Sequence, residues 1–398
     1  MKIKIISLFL ILTVCICSLS SCLFLNTDGI LGSLGDDKPS SNTTINVDGG
    51  PTYENINITS TADKNLLAAN KAVLSAVSVR TSSSAGSGVI YELDKEKGDA
   101  LIITNYHVVY EQNEAGMANN IANNIKVYLY GMEATKYGID ATYVGGSMNY
   151  DIALLHVKNS TVLMQSCARA ADIANSDQVS ILDTAIAVGN PEGKGISATV
   201  GYVNVDSEDI LVSFQGDSVQ LRVMRTDAAV NSGNSGGGLF NDNGELIGVV
   251  NAKSGNSTTD NIGYAIPSNV AIAIAKNIKD YCLNTDKKNV YRCMMGVTVS
   301  ATELSTSYDI ETGKIHKFEK VVISEVSATG AAYDRLKAGD VILAITIDGA
   351  RHEVTRTHHL IDTMLNARVG SKVVIHVLRD GTAVDVEIPM TANMIEAY

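Results

Sequence analysis

The sequence predicts a mainly β chain in two folded units: strands closed by one helix first, then a smaller α+β unit. Three observations carry this. Apolar runs are short and broken by Gly, Asn, Asp and Ser, and no long helical pattern interrupts the strand-like runs between residues 87 and 252. Val, Thr, Ser and Gly are plentiful, whereas tryptophan is absent and phenylalanine occurs five times. Past residue 290 the pattern changes to strands alternating with short helical segments. The 398 residues have room for two or three domains, and 45% hydrophobic against 19% charged residues is a globular balance.

At the N-terminus, Lys2 and Lys4 precede "IISLFLILTVCIC", an apolar stretch too short to span a bilayer comfortably. Residues 1–21 read as a signal peptide. The following "LSSC" resembles a bacterial lipobox, which makes Cys22 the lipidated first residue of an exported chain held to the extracytoplasmic face of the cell membrane. Residues 22–62 are rich in Asn, Ser, Thr, Gly and Asp and read as a flexible tether. Cys15 and Cys17 leave with the signal. Cys167, Cys282 and Cys293 remain, with no C-x-x-C spacing; Cys282 and Cys293 either pair or stay as buried thiols. The net charge of −12, without a cluster of Lys and Arg, argues against nucleic acid as a partner.

The first folded unit spans 63–285. "KNLLAANKAVLSAVSV" (64–79) reads as a short helix running into a strand. Strand-like runs follow at 87–92, 100–104, 125–130, 152–157, 185–189, 197–205, 210–214, 220–225 and 245–252. "PSNVAIAIAKNIKDYCL" is helical, opened by Pro267 and Ser268, with Val270, Ile274, Ile278 and Tyr281 along one face. The second unit, 290–392, reads as strand 293–300, a loop to 318, strand 319–326, helix 329–336, strand 340–348, helix 355–367, strand 371–379, a turn at Asp380-Gly381 and strand 383–389.

"NSGNSGGGLF" (231–240) concentrates four glycines around Ser235. G-x-S-x-G also occurs at the strand–turn–helix elbow of α/β-hydrolases. Here Asn-Asp-Asn-Gly follows between two apolar runs, which signals a hairpin where that esterase fold needs a helix. The other reading is a nucleophile on a β-barrel, with its base and orienting acid earlier in the chain. "IITNYHVVY" sets His107 just past an apolar strand, and "NYDIALLHV" sets Asp151 at the head of another. A serine hydroxyl needs a neighbouring imidazole to take its proton, and a buried carboxylate to hold the imidazole's tautomer. The glycines free the N–H groups of Gly233 and Ser235, with Asn234 between them, to face a developing oxyanion.

"TNYHVV", "YDIALL", "TDAAVNSGNSGGGL" and "IGYAIPSN" resemble segments of the HtrA (DegP/DegS-like) serine proteases. The resemblance covers about 65–390. It implies a trypsin-like (chymotrypsin-like) double β-barrel followed by a PDZ domain, with His107 as base, Asp151 as orienting acid and Ser235 as nucleophile. It also implies a homotrimer and unfolded or C-terminal peptides of envelope proteins as partners. Where the family usually has proline, Ser232 and Gly238 stand. By alignment the primary specificity pocket has its floor at Ala229 and Val230 and a wall at Asn251, Ala252 and Lys253. With no acid at the floor and Asp227 structural, small apolar residues are the expected preference.

"CMMGVTVS" and "GAAYDRLKAGDVILAITIDG" resemble a PDZ domain, with Met294, Met295, Gly296 and Val297 as its carboxylate-binding loop; one of the two methionines is expected to be core. The His358-His359 pair has no third ligand at useful spacing in the sequence, and neither a metal nor another cofactor is expected. The rival reading is a catalytically silent protease fold kept as a peptide-binding scaffold.

Overall fold

The structure is a computed structural model that describes residues 61–112, 119–132, 138–214, 217–252 and 262–398. The signal peptide, Cys22 and nearly all of the tether lie outside these. Helix α1 (Thr61–Val73) leads into β1 (Ala76–Arg80), β2 (Ala85–Asp94) and β3 (Asp99–Thr104). A single helical turn, α2 (Tyr106–Val109), and a short ribbon of β4 (Tyr110–Gln112) and β5 (Asn119–Ile121) come next. They are followed by β6 (Ile125–Leu129), β7 (Ile139–Ser147) and β8 (Ile152–Val157). Six of these strands close an antiparallel barrel in the order β1-β2-β3-β8-β7-β6.

The second barrel follows α3 (Thr161–Gln165) and β9 (Asp172–Ile173). It uses β10 (Thr184–Gly189), β11 (Ser197–Phe214), β12 (Asp217–Thr226), β13 (Gly238–Phe240), β14 (Glu245–Asn251) and β15 (Gly263–Pro267). The order β13-β10-β11-β12-β15-β14 is closed by pairing of β13 with β14, and β9 adds in parallel to β14. The expected hairpin after Ser235 is therefore present, and the elbow helix of an α/β-hydrolase is not. The two strands expected at 197–205 and 210–214 are one strand, β11; its register shifts at Val203/Val205 and again at Val205/Glu208, where the polar "DSED" begins.

The uninterrupted apolar run in β8 has a direct cause. Ala153, Leu155 and Val157 point into the first barrel, whereas Ile152 and Leu154 point outward against helix α4 (Ser268–Cys282). A strand buried on both faces has no polar alternation to keep. Helix α4 lays Ala271, Ile274 and Ile278 on Ile103, Leu154, Val249 and Ile266, and so ties one barrel to the other.

The second domain is built on β17 (Val297–Tyr308), β18 (Ile315–Val326), β19 (Val341–Ile347), β21 (Lys372–Arg379) and β22 (Thr382–Pro389), paired in that order. β20 (Ala350–Glu353) is set on β19, and β16 (Tyr291–Cys293) pairs with β23 (Ile395–Ala397). Helix α5 (Thr357–Met364) caps a core that includes Val321, Ile323, Ile345, Leu360, Val373 and Ile375. Two expectations are corrected here. The loop read over 301–318 is mostly strand: β17 and β18 run on as one long hairpin to a turn at Asp309–Lys314. The helix read over 329–336 is a chain of turns, broken where Asp334 takes φ +60°. Met295 is the core methionine at 7% exposure, and Met294 is exposed. Cys282 and Cys293 are both buried free thiols. Burial pushes the Cys282 thiol up to about 11.

The second domain docks on the two-barrel domain through ion pairs. Lys317 (2.6 Å) and Arg356 (2.7 Å) both reach Asp206, Lys314 reaches Asp183 (2.8 Å) and Arg368 reaches Asp280 (2.9 Å). Arg222 of β12 pairs with Asp362 of α5. Leu365, just past α5, packs into the cluster around α4.

Candidate active site

His107 and Asp151 come from the two adjacent strand ends that the barrel order brings together. β3 pairs with β8 from Ala100↔Val157 to Thr104↔Ala153, so residues just past Thr104 and just before Ile152 share one rim. His107 sits in the turn α2 directly after β3. Asp151 sits in the turn before β8, in the left-handed region at φ +47°, a conformation aspartate tolerates better than most residues.

The pair is held at several points. The His107 backbone N–H donates to Asp151 Oδ1 at 3.0 Å, and His107 Nδ1 lies 2.7 Å from Asp151 Oδ2. Asn251 Nδ2 donates to the same Oδ2 at 2.9 Å, and Asn105 Nδ2 donates to the Asp151 carbonyl at 2.8 Å. Asp151 is 3% exposed. A carboxylate so buried is tolerated because its oxygens are all hydrogen-bonded. The arrangement assigns the Nδ1–H tautomer to His107 and leaves Nε2 as the basic nitrogen.

Ser235 arrives from the second barrel. The end of β14 links it to the pair: Asn251 binds Asp151, and the next residue, Ala252, donates its N–H to Ser235 Oγ at 3.2 Å. On the other side Ser87 of β2 holds the loop twice, its N–H on the Ser235 carbonyl (2.8 Å) and its hydroxyl on the Gly233 carbonyl (2.7 Å).

The glycines of this loop have specific reasons. Gly233 takes φ +96° and lies so close to its neighbours that a Cβ would stand 2.3 Å from the Asn190 carbonyl oxygen. At Gly236, φ +83°, a Cβ would stand 2.2 Å from the Ser87 carbonyl oxygen. Only glycine fits either position. The loop's amides divide into two sets. Asn234, Gly236 and Gly237 donate to Asn231, Val250 and Asn234. Among the described residues, no internal acceptor is present for the N–H groups of Gly233 and Ser235. Two donors held in place without a partner suit a developing negative oxygen.

The remaining expected residues are more scattered. Ala229 is exposed, and its carbonyl accepts from the Thr199 hydroxyl at 2.9 Å; Val230 is half-buried on the second barrel core. Lys253 lies outside the described residues. Asn251, expected in a pocket wall, gives its side-chain amide to Asp151, a contact that no spacing argument found; the hint was a polar residue ending an apolar strand. Asp227 accepts from the Tyr202 N–H at 2.6 Å and braces β11, the structural part expected of it. At Gly238 a Cβ would stand 2.2 Å from the Phe240 ring, so a larger residue there requires Phe240 to move. In the loop expected to bind a carboxylate, Gly296 takes φ +76°, and the carbonyls of Met295 and Gly296 accept from Ala332 and Ser327.

The sequence matches the trypsin-like peptidase domain over residues 86–249 and the PDZ domain over 293–390. It is 32% identical over 327 residues to the serine protease Do-like HtrA of Lactococcus lactis subsp. cremoris (strain MG1363), covering 78% of this chain and 72% of that one. It is 31% identical over 315 residues to the periplasmic pH-dependent serine endoprotease DegQ of Escherichia coli (strain K12), covering 77% of this chain and 59% of that one. Among solved structures, the HtrA-type protease AlgW with tripeptide matches at a TM-score of 0.50 and 26% identity, over 85% of this chain and 98% of the other.

Proposed function

The chain belongs to the HtrA family of serine proteases, and from that premise we propose an exported, lipid-anchored endopeptidase that cleaves misfolded or regulatory envelope proteins through an acyl-enzyme. In this reading Ser235 Oγ attacks the scissile carbonyl while His107 Nε2 takes its proton. Asp151 holds the opposite ring nitrogen and stabilises the imidazolium. The N–H groups of Gly233 and Ser235 receive the oxyanion. Collapse of the tetrahedral intermediate breaks the C–N bond, and His107 protonates the leaving amine. Water, deprotonated by the same imidazole, then hydrolyses the ester to regenerate Ser235.

One observation carries the reading. The end of β14 grips both halves of the site, Asn251 on the acid of the first barrel and Ala252 on the serine of the second. The periplasmic description of DegQ supports an extracytoplasmic location, and lipidation rests on the "LSSC" stretch ending at Cys22. The tripeptide in the AlgW structure supports peptide binding by this chain. The PDZ loop Met294–Val297 is then the seat of a C-terminal carboxylate, and a homotrimer is the assembly the family implies.

Fluorophosphonate labelling tests the chemistry. The wild-type chain is expected to label covalently and Ser235→Ala to lose the label, with unchanged thermal unfolding. A wild-type chain that resists labelling in the presence and absence of C-terminal peptides would favour the scaffold reading.

A further inference from the structure

A cleft of about 650 Å³ separates the second barrel from the PDZ domain, and its lining includes Asp177, Arg222, Arg356, His358 and His359. His358 and His359 occupy the first turn of α5. Neighbours on a helix ordinarily diverge, yet these two rings meet edge to face with centroids 4.6 Å apart. Across the cleft, Asp177 lies on the single 3-10 turn Ser176–Gln178 of the protease domain, and its Oδ1 is 4.0 Å from His359 Nε2. One donor atom from each of the three residues lies within 4.8 Å of the other two. Thr355 Oγ1 lies 3.2 Å from His359 Nδ1, which leaves Nε2 for Asp177. Two guanidiniums flank the cluster, but each already has a carboxylate: Arg222 has Asp362, and Arg356 has Asp206 and Glu319.

We propose that His358, His359 and Asp177 form a binding site for a zinc-like divalent ion that bridges the PDZ and protease domains. Two imidazoles and one carboxylate make a donor set suited to zinc, whereas calcium and magnesium require oxygen ligands. With zinc–ligand bonds of about 2.0–2.2 Å, donors around a tetrahedral ion stand roughly 3.5 Å apart. The cluster must contract toward that figure from separations of up to 4.8 Å, and Asp177, exposed on a short turn, is the ligand placed to move. The hydrogen bond at His359 Nδ1 is the outer contact that commonly fixes which nitrogen ligates. All three residues line the cleft, so solvent is at hand for a fourth ligand. Because the ligands come from two domains, ion binding adds its free energy to their docking. This inference does not depend on the catalytic reading.

The test is zinc titration of the full chain in detergent after chelator treatment, followed by calorimetry and by the visible absorption of bound cobalt(II). The wild type is expected to bind one ion per chain and to unfold at higher temperature with zinc. Asp177→Ala and the double substitution His358→Ala/His359→Ala are each expected to weaken binding by at least about tenfold and to lose the cobalt bands, the scale seen for changes around metal sites. Asp177 is exposed, so its substitution keeps the test valid if the histidine variant misfolds. No saturable binding by the wild type, or binding unchanged by Asp177→Ala, overturns the bridging site.

Discussion

At the scale of single residues, the site works by over-determination. Asp151 is gripped by the backbone and side chain of His107, by Asn251 and through its carbonyl by Asn105. Removing one grip should therefore lower activity without abolishing it. A hydrogen bond to a charged group contributes about 1.5–3 kcal/mol. If the whole of that loss falls on the transition state, Asn251→Leu should reduce kcat roughly 10–100-fold with little change in KM, measured on a generic unfolded protein substrate. A KM effect without a kcat effect would instead put Asn251 in the substrate pocket, the place its alignment suggested. The residues proposed to bear the chemistry could be singled out in the sequence because chemistry restricts their types. Histidine past an apolar strand, aspartate before another and serine among glycines leave few alternatives. Asn251 was not legible, because an amide that orients a carboxylate from the far barrel has no local pattern to reveal it.

At the scale of elements, legibility followed burial. Strands such as β3, β8 and β14 have buried faces and read clearly. The long hairpin of β17 and β18 did not, because residues 300–319 are almost all exposed and carry no apolar alternation. It forms through backbone pairing rather than side-chain burial, and Lys314 at its turn reaches Asp183 of the second barrel. The "LKAGDVI" turn into β19 shows a polar residue with a defined part. Asp340, 2% exposed, accepts two bonds from the Arg379 fork at the end of β21 (2.7 and 2.6 Å) and one from the Lys337 N–H (2.9 Å). Burial disfavours its ionisation, but the Arg379 and Lys337 contacts outweigh it and hold the carboxyl below the usual range. A lowered carboxyl pKa stabilises the fold above the unfolded pKa, about 4, and that stabilisation fades as pH falls through the folded value. Asp340→Asn should therefore lower the PDZ melting temperature at neutral pH, and the gap from wild type should narrow in acid. A gap independent of pH would show that shape rather than charge matters at this turn.

At the scale of the whole molecule, the two domains meet through charge more than through apolar packing. Among the described residues, three of the five Lys/Arg–carboxylate pairs between them have a partner that keeps appreciable solvent contact, and Val290 and Leu365 are the buried residues that the second domain adds to the apolar cluster around α4. Raising salt from 0.1 M to 1 M shortens the Debye length from about 10 Å to about 3 Å. The domains should part while each stays folded, seen as a larger radius of gyration in solution scattering with unchanged circular dichroism. A radius that stays constant would assign the docking to Leu365 and its neighbours.

The thiols at Cys282 and Cys293 are sealed inside the folded units, and the first is held protonated far above neutrality. Among the described residues neither domain is stapled by a covalent cross-link, so a reductant has no bridge to break there, and Cys167 is the exposed thiol of the three. The packing of the two described domains therefore rests on non-covalent contacts alone, whatever the redox poise around them.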